Sequence, residues 1–196
     1  MKQKRFVTSL IGFLVGTGIC FGSVPTYALT TNAPTNKAAS SLMTMPLAQT
    51  NKPKQLKIPA IGIDTAIESV GKTQTGNMDV PQDVKNVAWY TLGVPPGEPG
   101  NAVISGHLDD KKGPAVFWKL GKLKVGDKVI VVDSANIERT FGVIAVAAYP
   151  FDKAPINQIF GFDLERDLNL ITCGGRWHAK TRNYSQRLVV YTRLLT

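Results

Sequence analysis

Apolar and polar residues alternate over short runs along most of this chain, and glycines and prolines punctuate them. Leu56-Lys57-Ile58-Pro59 and Asp64-Thr65-Ala66-Ile67-Glu68-Ser69-Val70 carry the period of two that a half-buried strand requires. Ala88-Trp89-Tyr90 precedes the breaker-rich Gly93-Val94-Pro95-Pro96-Gly97-Glu98-Pro99-Gly100, and Asn101-Ala102-Val103-Ile104-Ser105 predicts a strand ending at Gly106-His107. Residues 128–133 hold four consecutive β-branched residues after a Gly126-Asp127 turn. Residues 140–148, 168–172 and 188–194 complete the predicted strands, with 174–186 left as a loop between the last two. Helical signal is thin: a turn or two over 116–123, packing Phe117, Trp118 and Leu120, and a short helix over 154–160. Many short strands in about 140 residues predict a mainly β fold, a single closed barrel with one or two short helices.

The ends follow a different pattern. Lys2, Lys4 and Arg5 precede a mostly uncharged, apolar stretch from Phe6 to Val24, the layout of an export signal. Its length approaches the ~18–20 residues of a membrane-crossing helix, and Thr26-Tyr27-Ala28 offers a cut after Ala28. Residues 1–28 are thus a signal peptide or a signal anchor, with the anchor favoured by four glycines and no proline before Pro25. Either way the remainder lies outside the cytoplasm. Ile19 before Cys20 argues against lipidation, which requires a small residue there. Residues 29–54 lack aromatics, acids and any sustained apolar period, and read as a linker. A single domain is expected over 55–196.

The net charge of +9 resides largely in this head. Residues 1–54 carry six Lys/Arg and no acid, whereas 55–196 carries seventeen basic against fourteen acidic residues. The domain has no dense basic run interleaved with aromatics, so nucleic acid is not an expected partner. Membrane topology and anionic surface polymers account better for the positive head.

Beyond the export segment only one cysteine remains, Cys173, at the end of Leu168-Asn169-Leu170-Ile171-Thr172 and before Gly174-Gly175. An exported chain with one thiol closes no internal disulfide. The thiol is then either a nucleophile or a small buried hydrophobe. A nucleophile needs a proton acceptor. His107 ends an apolar strand, where side chains face clefts, whereas His178 sits in a loop between Arg176 and Lys180. Arg187 opens the last strand, which, running antiparallel to 168–172, returns it to the neighbourhood of Cys173. Arg182 competes with it, and a solvated strand-end charge is the bland alternative.

Ser105-Gly106-His107-Leu108-Asp109, Leu170-Ile171-Thr172-Cys173 and Gln186-Arg187-Leu188-Val189-Val190, in this order, resemble the sortases of Gram-positive bacteria. Leu56-Lys57-Ile58-Pro59-Ala60-Ile61-Gly62-Ile63 resembles their first strand, so the likeness spans the whole domain. Asn169 departs from the family's Thr-Leu-x-Thr-Cys run. Cys173-Gly174-Gly175 and the compact length are most like class F.

The resemblance implies a β-barrel cysteine transpeptidase. Such an enzyme cuts surface proteins at a C-terminal sorting signal of Leu-Pro-x-Thr-Gly type, holds the fragment as a Cys thioester, and passes it to an amine of peptidoglycan precursor or a pilin. It implies Cys173 as nucleophile, His107 as general acid/base and Arg187 as transition-state binder. Thr172 is implied to contact substrate or to help shape the oxyanion site. By the same analogy the apolar segment 149–167, including Ile156 and Phe160, walls the groove. No cofactor is implied.

L,D-transpeptidases set their His shortly before a Gly-Cys run, whereas 66 residues separate His107 from Cys173 here. Papain-like enzymes place Cys first. A metal site built from Cys173, His178, His107 and Asp109 lacks CxxC or HExxH spacing. A catalytically silent extracellular β-domain is the non-enzymatic alternative, and a replaced Cys, His or Arg would have favoured it.

Overall fold

The computed structural model describes residues 51–195. The expected export segment, 1–28, and most of the linker lie outside the described residues. Within them no helix is long and apolar enough to cross a membrane.

Strand β1 (Pro53–Ile58) buries Leu56 and Ile58 and stops at Pro59, which opens a 3-10 turn closed by Gly62. β1 begins within the expected linker: Pro53 is paired, and the Ser134 amide donates to the Lys52 carbonyl. β2 (Ile63–Val70), β3 (Val87–Tyr90) and β4 (Gly100–Gly106) follow, then the two-residue strands β5 (Asp109–Asp110) and β6 (Gly113–Pro114). β7 (Lys128–Asp133), β8 (Glu138–Pro150), helix α1 (Ile156–Phe160), β9 (Arg166–His178) and β10 (Asn183–Leu194) complete the chain.

The sheet closes in the order β1-β2-β3-β4-β9-β10-β8-β7, with β7 returning to β1, while β5 and β6 pair separately. β2/β3 and β4/β9 are parallel, and the other barrel pairs are antiparallel. Alternation along β9 divides two apolar clusters. Leu168 and Leu170 point into the barrel with Leu56, Ile58, Val129, Phe141 and Val190. Ile171 points outward with Val103, Val189 and Tyr191, beneath Ile159 and Phe160 of α1. The barrel therefore has a second, smaller apolar face on its outside, roofed by the α1 segment.

The structure corrects two local expectations. The 116–123 segment forms only a 3-10 turn at Leu120–Lys122. It buries Phe117, Leu120 and Leu123 but leaves Trp118 half exposed, because so tight a turn repeats every three residues and directs these three inward. Residues 174–186 are no loop: β9 and β10 continue as a hairpin, with a register shift between Tyr184 and Gln186, and only residues 179–182 turn.

Candidate active site

Three strands converge on one end of the outer apolar face. The parallel register of β4 and β9 ends at Ser105 opposite Ile171. One residue on, Thr172 turns inward, and its hydroxyl donates to the Gly106 carbonyl at 2.8 Å, stitching the two strand ends together. Gly106 is required there, since a Cβ would stand 2.6 Å from the buried Phe117 ring. His107 follows directly after the end of β4, and Cys173 lies on β9; each is two residues past the last paired position of these two strands. Arg187 on β10 is the direct cross-strand partner of Cys173. Opposed residues of an antiparallel pair share a face, so Cys173 and Arg187 stand on the same face, and His107 follows the end of the strand that adjoins β9 on its other side.

Cys173 is half-buried. Burial pushes its thiol above the ordinary value; the Arg187 charge pulls the other way, and Asp109 pushes further up. The resting group at neutral pH is the protonated thiol, so attack requires a base. The Nε2 of His107 is 3.1 Å from the Pro81 carbonyl. A carbonyl only accepts, so Nε2 carries the hydrogen and Nδ1 is left to take or give a proton. The Phe117 amide, donating to the His107 carbonyl at 2.9 Å, fixes its backbone.

Arg187 is anchored along its own strand. Nη1 donates to the Gln186 carbonyl and Nη2 to the Asn183 side-chain oxygen, both at 2.9 Å, and the guanidinium carbon lies 6.0 Å from the centre of the Phe151 ring. Among the described residues Nε makes no hydrogen bond. Residue types alone did not reveal a further contact: the Tyr184 hydroxyl donates to the Asp109 carboxylate, which raises Tyr184 to about 12. This bond ties the chain just after His107 to the hairpin bearing Arg187. Asp109, two residues after His107, was the only signal for it.

The other candidates fall elsewhere. His178 is exposed at the far end of β9, and Arg182 is exposed in the turn with a left-handed φ of 51°. Neither joins Cys173. Among the described residues no group of three or more His, Cys, Asp or Glu is placed to hold a metal ion. Phe160 is half-buried against Tyr90, its ring centroid 5.6 Å away at 81°, while Ile156 faces solvent at 59% exposure. Phe151, Phe162 and Leu164 of the same segment are also exposed.

Residues 56–195 match the family model described as the sortase domain. No curated protein matches the sequence. Solved structures similar to this one include a Clostridium perfringens sortase D5 transpeptidase (21% identity over 74% of this chain and 79% of that one, TM-score 0.55). Sortase C-1 from Actinomyces oris has 19% identity over 73% and 71%, at a TM-score of 0.59. Sortase A from Corynebacterium diphtheriae has 18% identity over 76% and 63%, at 0.58. These identities speak for a shared barrel, and the domain match over most of the chain carries the membership. The chain belongs to the sortase family of cysteine transpeptidases.

Proposed function

We propose that this chain is a membrane-tethered, extracellular sortase that cleaves a C-terminal Leu-Pro-x-Thr-Gly-like signal and transfers the protein to an amine of peptidoglycan precursor or a pilin. The direct opposition of Cys173 and Arg187 across β9 and β10, with His107 just past the end of the adjoining β4, carries this reading. The basic, apolar head supports the tether and the extracellular location. Cys173-Gly174-Gly175 supports class F.

In this mechanism His107 Nδ1 takes the Cys173 proton as sulfur attacks the Thr–Gly carbonyl carbon. The tetrahedral oxyanion is met by the free Nε–H of Arg187. The C–N bond breaks, the His107 proton goes to the leaving glycine amine, and a thioester remains. An incoming amine attacks it, loses a proton to His107, and expels the Cys173 sulfur, which regains the proton. Thr172, buried with its hydroxyl committed to Gly106, holds the two strand ends in place beneath the site.

The test is mass spectrometry of the protein with a Leu-Pro-Ala-Thr-Gly peptide and an amine acceptor. The expected acyl adduct maps to the peptide containing Cys173, and Cys173→Ala loses cleavage and transfer while keeping its thermal unfolding. Near-normal turnover in Cys173→Ala sinks the reading. His107→Ala is expected to slow the reaction by about 10²–10⁴-fold and His178→Ala to leave it nearly unchanged; the reverse pattern moves the proton-transfer role to His178.

A further inference from the structure

The hydrogen bond that holds His107 continues beyond the Pro81 carbonyl. That carbonyl shares a peptide group with the Gln82 amide, which donates to the Glu68 carboxylate at 2.8 Å. In a trans peptide the C=O and N–H point in opposite directions. One rigid unit therefore faces His107 Nε2 on one side, at 3.1 Å, and Glu68 on the other. Glu68, half-buried on β2, also accepts from the Asp83 amide at 3.2 Å and from Asn86 Nδ2 at 3.0 Å. These donors, the Gln82 amide foremost, hold its carboxyl below the ordinary value, and the charge of His107 adds to the effect. Glu68 is thus ionised at neutral pH. Pro81 itself is buried. The turn it opens is tied elsewhere as well: Thr65 Oγ1 donates to the Lys85 carbonyl at 2.7 Å, and the Val116 amide to the Val84 carbonyl at 3.1 Å. Those two ties hold the turn at Val84 and Lys85, while the carboxylate acts at the Pro81 end.

We propose that Glu68 is a positioning residue for His107. Acting through the Pro81–Gln82 peptide, its carboxylate aims the carbonyl that keeps the hydrogen on Nε2, and it supports the cationic ring formed when Nδ1 takes the Cys173 proton. This rests on the function proposed above. Linked hydrogen bonds polarise one another. The charge on Glu68 draws the Gln82 N–H and makes the Pro81 oxygen a stronger acceptor, and such an acceptor gains most from a cationic donor. In a Ser-His-Asp triad a carboxylate does this by direct contact with the ring; here a peptide group stands between them. Glu68 reaches the ring only from its Nε2 side, so its effect falls on proton transfer and leaves substrate binding alone.

The experiment combines nitrogen NMR of the histidine rings with peptide turnover, on full-length protein in detergent micelles. The chain has only two histidines, so His178→Ala identifies the His107 signals. At a pH where the ring is neutral, the wild type is expected to carry its hydrogen on Nε2 and to leave Nδ1 bare. Glu68→Gln keeps the size and one acceptor oxygen but removes the charge. It is expected to mix the two tautomers and to lower kcat on a Leu-Pro-Ala-Thr-Gly peptide by about 10–100-fold, the scale of a lost hydrogen bond to a charged group. KM and the rate of Cys173 labelling by a small methanethiosulfonate stay near wild type. Thr65→Val releases the Lys85 tie and leaves the carboxylate in place, and is expected to keep both the tautomer and kcat. A wild-type ring with its hydrogen on Nδ1 overturns this inference, whether or not Glu68→Gln folds. So does an unchanged kcat in Glu68→Gln, or an equal loss in Glu68→Gln and Thr65→Val, the mark of a turn that need only be intact. Those results leave wild-type cleavage in place and touch this inference alone. A wild-type chain that cleaves no peptide overturns the functional reading and this inference with it.

Discussion

At Cys173 three influences meet: burial and the Asp109 carboxylate hold the proton on sulfur, and the Arg187 guanidinium loosens it. Thiol reagents attack through the thiolate, so labelling at neutral pH is expected to be slower than for an exposed cysteine and to climb as pH rises. Asp109→Asn removes a negative charge, lowers the thiol pKa and speeds labelling at pH 7, and Arg187→Ala does the opposite. A pH–rate profile of alkylation checks both, and unchanged profiles would mean that burial alone sets the thiol. Arg187 also has a geometric demand that lysine cannot meet, because its planar fork engages Gln186 and Asn183 while Nε stays available. Arg187→Lys is expected to lower kcat on the ~10²–10³ scale of a lost oxyanion donor, with Arg182→Lys mild; the inverse pattern would move the role to Arg182. The candidates His107, Cys173 and Arg187 stood out in the sequence because each falls at an expected strand end and Cys173 is the one thiol beyond the apolar head. The Tyr184–Asp109 bond did not, since it joins residues 75 positions apart and has no local pattern.

The β9–β10 hairpin turns residue types into a site. Inside the barrel its alternation is plain, and the expected strands 168–172 and 188–194 fall within the observed ones. Beyond Cys173 the alternation stops: Gly174-Gly175 and a run of cationic residues look like loop, yet backbone pairing continues to His178 opposite Asn183. Main-chain hydrogen bonds and the Trp177–Tyr184 ring contact, with centroids 5.1 Å apart, hold this extension without help from the core. Gly175 makes the bend possible. Its φ is +76°, and a Cβ there would sit 2.3 Å from the Ser185 hydroxyl, which accepts the Arg176 amide. Gly174 is relaxed, because a Cβ at that position would find its nearest neighbour 3.7 Å away. Gly175→Ala is therefore expected to cost about 1–2 kcal/mol, a fall of roughly 2–8 °C in Tm, and to lower turnover by displacing Arg187. Gly174→Ala is expected to change little. Thermal unfolding and peptide turnover of the two variants check this, and equal effects would remove the special role of Gly175.

At the scale of the whole molecule, closure of the barrel fixes where these strands can stand, and β1 is the element that closes it. It pairs with β2 on one side and β7 on the other, so the first strand in sequence joins two edges that would otherwise be open. Leu56 and Ile58 are fully buried, each contributing about 1.5–3 kcal/mol by leaving water. Alternation identified these two core positions. The start of the strand was harder to read, because Pro53 and Lys54 look like linker in composition, and only the pairing of Pro53 with Asp133 and the Lys52–Ser134 hydrogen bond include them. Three truncations separate the contributions. A chain beginning at residue 51 is expected to unfold cooperatively with a Tm near that of the full-length protein. One beginning at residue 55 keeps Leu56 and Ile58 but loses the Lys52 and Pro53 pairing, and is expected to melt lower while remaining folded. One beginning at residue 59 leaves β2 and β7 with unpaired edges and an opened core, and is expected to show no cooperative transition and no Cys173-dependent turnover. Circular dichroism melts and peptide cleavage distinguish the three. A stable, active chain lacking residues 53–58 would show that the barrel holds its catalytic end without being closed.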